Sequence, residues 1–131
     1  MTTNELYEFA QNSNIPVYSY DLGCIESLSM PLNKKCFIAI DPMQIKNYSD
    51  EKVKLAHELG HCETGSFYNE YSTLDIRGKH ERRADRWAIK KLIPKDELET
   101  AYKRCNNRYE LSEYFGVTED FMQKAIDYYL Q

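Results

Sequence analysis

The sequence predicts an α+β fold, with a short antiparallel sheet packed on one helix and a mainly helical C-terminal half. Three observations carry this. Short β-like runs crowd into residues 15 to 41, helical periodicity takes over from about residue 49, and the links between the β-like runs are too short for crossover helices. Thr3 to Asn12 sets Leu6, Phe9 and Ala10 at helical spacing with Thr3 as its cap, which predicts a first helix. Asn14 and Pro16 break it. Three β-like runs follow: Ile15 to Tyr20, Cys24 to Met30, and Cys36 to Asp41, the last bounded by Lys34-Lys35 and Pro42. Ser49 or Asp50 caps the next helix, which runs through residue 61 and stops near Gly65. Val53, Ala56 and Gly60 share the face of it that packing on the sheet requires. Phe67 to Lys79, with Gly78 and a polar stretch over Asn69 to Thr73, reads as a loop. A helix from about His80 to Leu92 ends before Pro94, and Pro94 suits the first turn of another, to about Arg104. Tyr109 to Leu130 holds two helical stretches split by Gly116-Val117-Thr118.

At 131 residues the chain is of single-domain size, and 42% hydrophobic with 29% charged residues is ordinary for a folded protein. A net charge of −4 gives no electrostatic case for nucleic-acid binding. Neither a signal peptide nor an apolar run of membrane-spanning length is visible, so a cytoplasmic location is expected. The four cysteines, Cys24, Cys36, Cys62 and Cys105, are scattered and form no CxxC pair. They are expected to be free thiols in a reducing cytosol.

The chemistry is concentrated in His57-Glu58-Leu59-Gly60-His61. Two histidines four apart on a helix lie one above the other, so both imidazoles can bind one Zn²⁺. Glu58, beside the first, reaches a water that the metal holds and is the candidate general base of a zinc peptidase. A sheet packed on such a helix makes a small zincin-like domain. Cys62 follows His61 directly but points about 100° away round the helix, which disfavours it as a ligand.

Zinc needs a third protein ligand. Glu81 and Asp85 are four apart on the next predicted helix and share a face. Glu81 can then bind the metal while Asp85 accepts the free ring N–H of a ligand histidine. The rival is His80, but with His80 on the metal Glu81 rotates away and Asp85 loses its task. For Asp85 a plain ion pair with Arg82 or Lys79 is the competing reading. The metzincin pattern, with glycine at 64 and histidine at 67, fails because the chain has Thr64 and Phe67. Glu63 reads as a surface charge. Tyr68 and Tyr71, between the two metal-binding helices, are candidate oxyanion donors, with loop packing as the competing role in a chain of eleven tyrosines.

His57 to His61, then Glu81-Arg82-Arg83-Ala84-Asp85-Arg86-Trp87-Ala88 and Leu92-Ile93-Pro94, resemble the ImmA/IrrE metallopeptidases, a gluzincin-like group with a downstream glutamate ligand. Trp87 stands where phenylalanine is usual there. The similarity covers about residues 36 to 94, within one zinc metallopeptidase domain expected over residues 1 to 131. The resemblance implies one zinc ion bound by His57, His61 and Glu81, with Glu58 as general base. It also implies a setting on phages, mobile elements or stress-response loci, and a helix-turn-helix repressor as the protein substrate, cleaved to relieve repression.

The tail from about residue 108 to 131 has a helix-turn-helix look. Its would-be recognition helix opens with Glu119-Asp120, which phosphates repel, so a packing or substrate-recognition role is favoured over DNA binding. Two other functions stay open from sequence: an anti-repressor that binds its target through the same fold without cutting it, and a DNA-associated regulator.

Overall fold

In the computed structural model, which describes residues 1–69 and 71–131, nine elements follow one another along the chain. Helix α1 (Thr3–Asn12) is capped by Thr2, whose side chain accepts from the Glu5 amide while Glu5 reaches back to the Thr2 N–H. The cap therefore sits one residue before the Thr3 expected for it. Three strands come next: β1 (Val17–Ser19), β2 (Ser27–Leu32) and β3 (Lys35–Ile40). Asn33 and Lys34, both with positive φ, make the two-residue turn of the β2–β3 hairpin.

The sheet order is β1-β3-β2. β2 and β3 pair antiparallel, as expected, but β1 runs parallel to β3. The expectation of an all-antiparallel sheet is corrected here. Its premise was that parallel strands need a crossover helix; instead β2 itself, lying on the far edge, supplies the reversal between β1 and β3.

Helix α2 (Tyr48–Thr64) is central. Asn47, in extended conformation, caps it by accepting from the Asp50 amide, two residues before the expected Ser49 and three before Asp50. It ends at Gly65, left-handed at φ 65°. Leu55, Ala56 and Leu59 on α2 meet Leu6 of α1 and Ile38 of β3, and all five are fully buried. Each such leucine contributes about 1.5–3 kcal/mol by leaving water.

Helix α3 (Leu74–Leu92) starts six residues before the expected His80, so the predicted loop is shorter. Thr73 caps it, accepting from the Ile76 amide, and Gly78 is carried inside the helix. Glu70 lies outside the described residues. Helices α4 (Lys95–Tyr102), α5 (Arg108–Phe115) and α6 (Glu119–Tyr129) complete the chain, with Gly116-Val117-Thr118 between the last two. Buried Lys52 of α2 donates to the Phe115 carbonyl and so closes the end of α5.

Cys36 and Cys62 form a disulfide, with their Cα atoms 5.7 Å apart. The expectation of four free thiols is corrected for this pair. The start of β3 lies against the last turns of α2, so two cysteines that no spacing rule links become neighbours. Cys24 and Cys105 are free. Among the described residues, no helix is long and apolar enough to cross a membrane.

Candidate metal centre

Helix α2 presents His57 and His61 one turn apart, and α3 presents Glu81 to both. The Nε2 atom of His57 lies 2.8 Å from Glu81 Oε2 and 3.2 Å from His61 Nε2, while His61 Nε2 lies 3.2 Å from Glu81 Oε1. Donors held at 2.0–2.1 Å around a tetrahedral zinc ion sit about 3.3 Å apart. The three atoms, all within 4.8 Å of one another, fit that requirement with little movement.

The other ring nitrogens are tied down. His57 Nδ1–H donates to Asp85 Oδ1 at 2.8 Å, and His61 Nδ1–H donates to the Ser66 carbonyl. Because both acceptors lack a proton to give, each ring keeps its Nδ1 hydrogen and turns Nε2 inward. Asp85 therefore takes the place anticipated for it, and its second oxygen is held by Lys124 of α6 at 3.2 Å rather than by Arg82 or Lys79. The Ser66 carbonyl went unanticipated. The left-handed turn at Gly65 brings buried Ser66 back beneath His61.

The close approach of α3 depends on Gly60. A Cβ there would lie 2.5 Å from the Ala84 carbonyl oxygen, a backbone atom that cannot swing aside. Leu59 is a core residue, so the two positions between Glu58 and His61 both have packing reasons for their identity.

Charge follows the geometry. Burial opposes charging His57, but Asp85 and Glu81 outweigh it and raise the imidazole to about 9. His61 is likewise raised against burial, by Glu81 and the Ser66 carbonyl. Hydrogen bonds from His57 and His61 hold Glu81 well below the usual carboxylate range. Asp85 is lowered, burial being outweighed by His57 and Lys124. These are linked protons that a metal ion replaces.

Glu58 is buried beside the histidines and does not join the donor triad. Its carboxylate accepts from Ser27 Oγ at 2.7 Å and Ser29 Oγ at 2.8 Å, two residues that sequence reasoning passed over. Of the two tyrosines, Tyr68 lines the cleft and donates to Glu81 Oε1 at 2.9 Å. Tyr71 is 87% exposed and does not line the cleft. His80 stacks on Tyr68, outside the triad. Cys62 is spent on Cys36. His57 and Glu81 line both a cleft of about 410 Å³ on the β2 side and one of about 790 Å³ on the α6 side. Open space thus flanks the triad on two sides, as an extended peptide requires.

No curated protein matches this chain significantly. A model of a peptidase family, Peptidase_M78, described as the IrrE N-terminal-like domain, matches residues 35–127 and so takes in β3, both histidines, Glu58, Glu81 and most of the helical tail. The cluster of donors that could hold a metal and this match over most of the chain agree, and the chain belongs to the IrrE N-terminal-like peptidase family.

Proposed function

We propose that the protein is a zinc-dependent endopeptidase that hydrolyses a peptide bond in a protein substrate, a helix-turn-helix repressor, and so relieves repression. The observation that supports this reading best is the convergence of three metal-donor atoms with an adjacent, separately anchored carboxylate in an open cleft.

His57, His61 and Glu81 would hold the ion, which supplies a Lewis acid for the scissile carbonyl and makes water easier to deprotonate. Glu58 takes a proton from the attacking water and passes it to the leaving amine. Asp85 and the Ser66 carbonyl keep both imidazoles in register during this cycle. Tyr68, already in the cleft, is the side chain placed to turn its hydroxyl from Glu81 towards the developing oxyanion. The free edge of β2 borders the same cleft and offers backbone groups for an extended segment of substrate.

The repressor as substrate, and a cytoplasmic site of action with it, follow from the likeness to ImmA/IrrE peptidases. In that compartment Cys36 and Cys62 would spend part of their time as thiols. Co-expression with a repressor encoded beside the gene tests the reading: the wild type should yield cleaved repressor and Glu58→Gln should not. A Glu58→Gln variant that relieves repression as well as the wild type would remove proteolysis from the mechanism and leave sequestration in its place.

A further inference from the structure

A carboxylate taken out of water requires hydrogen-bond donors, and Glu58 is only 7% exposed. Among the described residues its donors are the Ser27 hydroxyl on Oε2 and the Ser29 hydroxyl on Oε1. One donor on each oxygen stops the carboxylate from rotating about its last bond. Each oxygen still keeps a lone pair with which to accept a proton. Neither serine hydroxyl makes another hydrogen bond among the described residues.

Strand geometry brings the two serines together. They occupy alternate positions of the edge strand β2 and share one face of the sheet. Their partners across β3 are the buried Ile40 and Ile38, while the serines, at the sheet edge, are half-buried and line the cleft. Half-buried where β2 borders the cleft, both hydroxyls are aimed at one carboxylate.

We infer that Ser27 and Ser29 are positioning residues for hydrolysis: together they hold the Glu58 carboxylate in the orientation from which it accepts a proton from the attacking water. This rests on the peptidase reading of the site. The strand that borders the substrate cleft thereby also orients the base, without touching the metal ligands.

The test uses the full chain loaded with zinc and fluorescein-labelled casein as the probe. Replacing both residues, Ser27→Ala with Ser29→Ala, should lower kcat at least about tenfold, with KM within about twofold and zinc content unchanged, since charge-assisted hydrogen bonds are lost from the base alone. Ser27→Thr with Ser29→Thr restores both hydroxyls and should return kcat to within about threefold of the wild type. A second measurement needs no turnover. In chelator, the alanine pair should lower Tm when Glu58 is present and leave it nearly unchanged in a Glu58→Ala background. If the alanine pair does not fold, the single alanine variants carry the same comparison. Wild-type kcat in the alanine variants overturns the inference, as does an equal Tm loss in both backgrounds. Should zinc-loaded wild type fail to cut casein, the repressor co-expression above judges the peptidase reading, and the Tm cycle decides whether the serines hold Glu58.

Discussion

Substituting Gly60→Ala probes the whole centre through one methyl group. The added Cβ would sit 2.5 Å from the Ala84 carbonyl oxygen, where ordinary contact begins at 3.4 Å. The two helices must therefore part locally by about 0.9 Å. In stability the result is a near balance: overpacking costs about 1–3 kcal/mol, while exchanging glycine for alanine inside a helix returns up to about 1 kcal/mol. Metal binding has no such compensation. Glu81 lies one helical turn from Ala84, and a metal–oxygen bond of 2.0–2.2 Å tolerates displacements of only about 0.2 Å. Zinc affinity should fall about 100-fold. The assay is thermal unfolding with and without zinc, backed by competition with a chromophoric chelator. At zinc equal to 1,000 times the wild-type Kd, the wild type gains about 4 kcal/mol and the variant about 1.4 kcal/mol. In chelator the variant's Tm should drop by no more than about 8 °C. A variant that melts higher than the wild type in chelator and binds zinc equally well would refute the claim that Gly60 sets the α2–α3 distance.

Removing the third ligand should cost most: Glu81→Gln should show the largest loss of zinc affinity by chelator competition. Asp85→Asn should weaken binding about 10–100-fold by loosening His57. Lys124→Met should stay within about threefold, because its bridge to Asp85 is exposed on the lysine side. Acidity provides an independent check. With zinc removed, His57 has a folded-state pKa raised to about 9 from 6.5. Its contribution to stability is therefore complete below pH 6.5 and is lost as pH rises through 9. Zinc competes with that proton, so affinity should rise across the same window; titration calorimetry in two buffers should show proton release on binding at pH 7. Flat affinity between pH 6.5 and 9 would contradict the assignment of His57 as a ligand.

The geometry of the candidate site was largely legible because its parts obey one period. His57 and His61, like Glu81 and Asp85, recur at the helical spacing, and a face argument places them before any coordinates. Tyr68 and Tyr71 were named together as residues of one loop, and a loop has no period to tell that only Tyr68 lines the cleft. What escaped were contacts between segments with no common rhythm. Ser27 and Ser29 alternate with apolar residues like any strand, and the strand pattern alone does not say whether an inward hydroxyl meets a carboxylate. The Cys36–Cys62 bond and the parallel β1–β3 pairing depend on which elements become neighbours in space. The early start of α3 was hidden by Gly78, which reads as a loop signal, although Thr73 supplied a cap three residues before Ile76.

The order in which strands are paired carries a kinetic consequence. β2 and β3 meet across a two-residue turn, so this hairpin can close within about 1–10 μs. β1 precedes both in the chain, yet its place exists only after β3 has been laid down. Its docking rests on a few links such as Tyr20 N–H to the Ile40 carbonyl. The three-residue strand is therefore the last piece to attach and the first to detach. Breathing of the native state should begin at this edge, which is separated by β3 from the strand that faces Glu58.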